Sequence, residues 1–157
     1  MGCGCGKDRN TGSCVCDILK EIVDAQNDVV ENCCDTSCEQ SINDLLGVTE
    51  SGSGLDTVPI ILYCKDGCKP FKGYGAHRSH HGIGDIVASF IFRVKRVDDD
   101  CCAVLELVRK NDESCEHLKD PCHQDTHHLE ATGICITVDL NCFCHVTCLP
   151  AVSLFNN

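Results

Sequence analysis

The sequence predicts a mainly β domain, a sandwich or open barrel of antiparallel strands, with an N-terminal α-helix and an unusual load of cysteine. Three observations lead there. Ile134, Ile136, Val138, Leu140, Cys142, Cys144, Val146 and Cys148 recur at period two against a mostly polar opposite face, the pattern of a half-buried strand. From Thr57 onward, short apolar runs alternate with turn signals. Helical spacing is clear in one early segment, where Val15, Ile18, Leu19, Ile22, Val29 and Val30 share a face.

Residues 1–12 are glycine, cysteine and polar side chains without periodicity, and read as a flexible, cysteine-rich arm able to reach a neighbour. Everything from 13 to 157 reads as a single domain. Ser13 offers an N-cap and Asp17 a favourable charge in the first turn, which predicts a helix over about 14–31. Cys33-Cys34-Asp-Thr-Ser-Cys38 ends it, a shorter helical turn follows at 39–46, and 47–56 is a Gly/Ser loop. The β region then runs over 57–149, with a short tail at 150–157.

Within it, 58–64 and 68–74 flank Lys65-Asp-Gly67, a favoured hairpin turn. Pro59 and Pro70 push these strands towards a sheet edge. Residues 73–84, with His77, His80 and His81, read as a loop. A second hairpin joins 86–97 to 101–109 across Asp98-Asp-Asp100, and 110–128 reads as a long polar loop. The closing apolar stretch is a strand or strand pair, with Asp139-Leu-Asn141 able to conceal a turn.

Cysteine supplies 17 of the 157 residues, the density of a disulfide scaffold. An odd number requires at least one thiol to stay free, bind something or pair with another chain. Met1-Gly-Cys-Gly-Cys-Gly-Lys7 has no apolar core of a secretory signal, and position 6 fails the myristoylation pattern. No run approaches the ~18 apolar residues of a membrane span. The expectation is a chain made in a reducing compartment that nevertheless carries the thiol load of an oxidised protein, with no membrane partner. A net charge of −11 and the absence of tryptophan argue against nucleic acid.

The stretch Cys135-Ile-Thr-Val-Asp-Leu-Asn-Cys-Phe-Cys-His-Val-Thr-Cys-Leu149 resembles the C-terminal motif of the bacterial spore coat CotY/CotZ family, which includes the exosporium protein ExsY. Phe90-Ile-Phe-Arg-Val-Lys-Arg-Val-Asp-Asp-Asp-Cys-Cys-Ala-Val-Leu105 is similar to that family's central hairpin, and Asp56-Thr-Val-Pro-Ile60 to the start of its first strand. Position 145 departs from the motif, carrying His in place of a small apolar residue. The resemblance implies a structural protein of the spore coat, crust or exosporium, made in the mother-cell cytoplasm. It implies self-assembly into a two-dimensional lattice reinforced by disulfides, with itself and other coat or exosporium proteins as partners.

Three jobs compete for the cysteines: core packing, metal binding and cross-linking. The arm, the helix end and the Cys101-Cys102 pair distribute thiols in diverging directions, since neighbours on a strand point to opposite faces. Cys3, Cys5, Cys14, Cys16, Cys33, Cys34, Cys38, Cys101 and Cys102 are therefore candidates for intermolecular disulfides. Cys135, Cys142, Cys144 and Cys148 are candidates for core or intramolecular thiols. Cys122, His123, His127 and His128 have suitable atoms for zinc, but no tight Cys-x2-Cys knuckle is present, and no cofactor is the primary expectation. No spacing selects a nucleophile, a base and an orienting group, so the chain does not read as an enzyme. The alternatives are an adaptor that anchors another surface protein, and a zinc-binding Cys/His module.

Overall fold

A computed structural model describes residues 14–27, 34–47 and 54–155. Two compact units divide at Cys34/Asp35, with the first helix in one and the β region in the other. Helix α1, Cys14–Asn27, carries its apolar stripe exposed at Val15, Ile18, Leu19, Ile22 and Val23. The arm, with Cys3 and Cys5, lies outside the described residues, as does Cys33.

The second unit begins with α2, Cys38–Leu46, capped by Ser37, whose hydroxyl accepts from the Gln40 N–H at 3.0 Å. Gly47 closes it at φ 68°, the left-handed conformation glycine takes without a Cβ penalty. Five strands follow in one antiparallel sheet: β1 (Ile60–Cys64), β4 (Ile91–Val97), β5 (Cys102–Lys110), β6 (Leu129–Asp139) and β7 (Phe143–Cys148), in the order β6-β5-β4-β1-β7. A separate hairpin is formed by β2 (Gly73–Ser79) and β3 (Gly82–Ser89).

Strand order explains the curvature of the sheet. β6 and β7 are its two edges, yet only Leu140–Cys142, one 3-10 turn, connects them. A flat five-stranded sheet separates its edges by about 19 Å, whereas that link reaches at most about 14 Å. The sheet therefore curls so that its edges approach at this end. The closing apolar stretch is thus a strand pair on opposite edges.

Hydrophobic burial divides between the two faces. Ile60, Leu62, Phe92, Ala103, Leu105, Leu107 and Ile134 form the larger cluster, with Phe71, Val87, Ile136 and Phe143 against it. Ile61, Ile91 and Val108 face the other way, covered by Tyr63, Leu129, Leu149 and Leu154. The β2–β3 hairpin lies on the first face, where the sequence suggested a loop over 73–84. Its glycines are the reason for both. A Cβ on Gly73 would stand 2.7 Å from Phe92 Cε1 and 2.9 Å from Ile136 Cδ1, so the bare backbone seats the hairpin on the core.

Two further expectations change. β1 is flanked by β4 and β7 and is not an edge, because Pro59 lies just before the strand and needs no ladder N–H there. Its carbonyl accepts from Leu149 N at 2.8 Å. The polar segment 110–128 contributes to the interior: Leu118 is buried with Ala88 and Phe90, and Gln124 enters the corner between β3 and β4. There Gln124 Oε1 accepts from Phe90 N at 2.9 Å and Gln124 Nε2 donates to Ser89 Oγ at 2.8 Å, satisfying buried backbone where the chain changes sheets. The tail is also tied down, since Asp56 carboxylate oxygens accept from Leu154 N and Phe155 N, both at 2.9 Å.

Candidate functional site: a distributed set of thiols

The backbone places most of the cysteines at element ends and edges. Cys38, expected among the intermolecular thiols, is instead bonded within the chain to Cys148, across a sequence separation of 110 and a Cα–Cα distance of 4.7 Å. It begins α2, while Cys148 ends β7 opposite Ile60. The adjacent Ser41 hydroxyl donates to Leu149 O at 2.7 Å, so one covalent and one polar tie hold α2 to the end of the sheet. Cys14 is disulfide-bonded as well.

Cys135, Cys142 and Cys144, expected as core or intramolecular thiols, are exposed and unbonded. The period-two reading holds through Val138 and Leu140, which pack on the core beside Ile134. Cys135 lies on the outer side of that same alternation, on the edge strand β6. The 3-10 turn then takes Leu140–Cys142 out of the strand, and β7 restarts with Phe143 directed inward. Tyr63 pairs with His145 and Cys64 with Phe143, which leaves Cys144 as the extra residue of a β-bulge. The turn at Leu140–Cys142 and the bulge at Cys144 interrupt the alternation, and Cys142 and Cys144 are left exposed.

Six thiols gather around that turn. Cys101 O accepts from Leu140 N at 2.9 Å, Cys102 pairs with Asp139, and Cys142 O accepts from Lys65 N at 2.8 Å. Cys64, Cys68 and Cys144 complete the group through the β1–β7 end, where Cys144 Sγ is 3.4 Å from Cys64 O. At the β4–β5 tip Cys101 is exposed, in the left-handed region at φ 65°, while Cys102 is half-buried. Asp100 foremost, then partial burial and Asp139, raise the Cys102 thiol above its ordinary value, because thiolate formation beside carboxylates is unfavourable.

Elsewhere Cys34 and Cys122 are exposed, and Cys16 and Cys115 are half-buried. Cys122, His123, His127 and His128 lie close in sequence, but His127 Nδ1 is 2.9 Å from Asp125 Oδ1 and His123 Nδ1 is 3.7 Å from Asp120 Oδ2. Among the described residues, no three His, Cys, Asp or Glu side chains converge on a position for a metal ion. His145, the departure from the expected motif, stacks on Tyr63 at a centroid distance of 4.2 Å across the β1–β7 pair.

An open apolar concavity of about 380 Å³ lies beside the thiol cluster, lined by Leu62, Val94, Leu105, Phe143 and Val146 among others. No helix among the described residues is long and apolar enough to cross a membrane.

The family model described as spore coat protein Z matches residues 3–151. Spore coat protein Z of Bacillus subtilis (strain 168) is 36% identical over 145 residues, covering 90% of this chain and 91% of the relative. No solved structure matches. The three stretches carrying the resemblance form β1 with its approach, the β4–β5 hairpin and the β6–β7 pair, and so build the five-stranded sheet itself. By both the family match and the extent of this identity, the chain belongs to the spore coat protein Z family.

Proposed function

We propose that the chain is a structural subunit of the bacterial spore surface that self-assembles into an ordered two-dimensional lattice reinforced by disulfides between subunits. Family membership supports the spore surface and the company of other coat or exosporium proteins as partners. The observation that carries the cross-linking role is the display of exposed thiols on different parts of one β unit. Cys101 stands on a hairpin tip, Cys122 on a connecting segment and Cys135 on an edge strand.

Rigid placement on separate elements lets one subunit bond several neighbours, and a bond opened in such a network releases no subunit while others persist. The edge strands β6 and β7 offer backbone groups for lateral contacts as well. The net charge of −11 keeps free subunits apart and makes their association sensitive to salt.

The test is the resistance of assembled material to hot detergent without reductant. Serine at Cys34, Cys101 and Cys135 together leaves an assembly that dissolves to a larger fraction of monomer than the parent does. Undiminished resistance would remove these thiols from the cross-linking role. Discrete oligomers bound to one specific surface protein would favour an adaptor instead.

A further inference from the structure

Two backbone irregularities meet at one pair of sulfurs. Cys68 ends the turn after β1 at φ 52°, a left-handed conformation that is uncommon outside glycine. Cys144 is the bulged residue of β7. Their Sγ atoms are 3.9 Å apart, although 76 residues separate them in sequence. The same turn is fixed on both sides, by Cys64 N donating to Lys69 O at 2.9 Å and Lys65 N donating to Cys142 O at 2.8 Å. Cys64 and Cys68, four residues apart across this turn, both keep free thiols.

We propose that Cys68 and Cys144 form a redox-responsive dithiol site that closes to an intrachain disulfide on reaction with a small-molecule disulfide such as oxidised glutathione. Closure needs the sulfurs to approach by about 2 Å, to the usual bond length of ~2.05 Å, a displacement within the range of side-chain torsion. The exposed Cys68 thiolate attacks one sulfur of the oxidant, breaking its S–S bond, releasing one small thiolate and forming a mixed disulfide. Cys144 then loses its proton to solvent and attacks the Cys68 sulfur, which expels the second small thiolate. Two protein thiols are oxidised by two electrons, and one small disulfide is reduced to two thiols.

The order of the steps follows from the surroundings of Cys144. Partial withdrawal from water and the adjoining Cys68 sulfur raise its thiol above the ordinary value, so it is the poorer first nucleophile. Once Cys68 carries the mixed disulfide, proximity replaces nucleophilicity as the deciding factor. The closed bond ties the β1 turn to the edge strand and fixes one wall of the apolar concavity, which Cys144 lines. It also withdraws two of the clustered thiols from bonding to other subunits. This inference rests on the geometry of one chain and does not depend on lattice formation.

The experiment uses the full chain, reduced and dilute, as an equal mixture of 14N- and 15N-labelled protein exposed to a glutathione redox buffer. Acid quenching, alkylation and combined trypsin and chymotrypsin digestion follow. Cleavage after Lys65 separates Cys68 from Cys64, cleavage after Phe143 separates Cys144 from Cys142, and fragment ions place the bond at Cys144 or at Cys148, which shares its peptide, a bond at Cys148 counting against the proposal. The expected product joins the Cys68 and Cys144 peptides with both carrying the same label. In C144S, where closure is impossible, Cys68 instead retains one glutathione. A mixed-label Cys68–Cys144 product, a Cys64–Cys68 link, or glutathione persisting on Cys68 of the parent protein would each overturn the proposal.

Discussion

Removal of the Cys38–Cys148 bond is the perturbation whose size the structure fixes best. The bond closes a loop with a sequence separation of 110, for which the chain-entropy relation gives about 16 cal/mol/K, or about 5 kcal/mol at 25 °C. That figure is an upper expectation, because a real unfolded chain is more compact than the relation assumes. The replacement is the double variant C38S/C148S, which leaves no new orphan thiol from the pair. Equilibrium urea unfolding of parent and variant, at about pH 5.5 to slow thiol exchange, measures the difference. The variant loses about 2–5 kcal/mol, and its urea dependence steepens as the untethered unfolded chain exposes more surface. A loss below about 1 kcal/mol with an unchanged slope would refute the loop argument and leave the Ser41–Leu149 hydrogen bond as the main tie of α2.

Two other consequences are specific. Gly73→Ala drives a methyl group against the buried ring of Phe92 without any change of backbone region, and costs about 1–3 kcal/mol by overpacking; an unfolding midpoint equal to that of the parent would show that the hairpin does not bear on the core there. Asp100→Asn keeps an oxygen to accept from Cys102 N but removes the charge that chiefly raises the Cys102 thiol. The thiolate fraction at a given pH then rises, so the alkylation profile of Cys102 moves to lower pH, and peptide-resolved mass spectrometry that finds coincident profiles would reject this cause.

How far the fold was legible depended on what kind of signal each element carried. The strands of the main sheet announced themselves through alternation and turn residues, and the resemblance fell on those same strands. The β2–β3 hairpin did not, because Gly73 and Gly75 contribute fit by lacking a side chain, and sequence periodicity cannot register an absent group. Leu118 and Gln124 each follow directly on a 3-10 turn, Cys115–His117 and Pro121–His123, too short to show a repeat, so a segment with buried residues looked like a polar loop.

The thiols were harder still. A period-two face survives only while the strand is uninterrupted, and one turn at Leu140–Cys142 and one bulge at Cys144 sufficed to turn Cys142 and Cys144 outward. Asp139-Leu-Asn141 did carry the hint of that turn, and Asp139 Oδ1 accepts from Asn141 N at 2.9 Å within it. The bond between Cys38 and Cys148 had no local signature, because disulfide pairing is a property of the folded geometry across 110 residues. Cys101 falls in the left-handed turn just before β5 and not on the strand itself, so strand alternation does not govern how it stands to Cys102.

Electron microscopy of the purified protein, with and without a strong reductant, decides whether the subunits build a lattice. Ordered sheets are expected in both samples, with only the unreduced ones resisting hot detergent, because noncovalent contacts build the lattice and disulfides reinforce it. Sheets that dissolve on reduction would make oxidation the builder of the lattice, and small discrete particles in both samples would contradict the lattice itself.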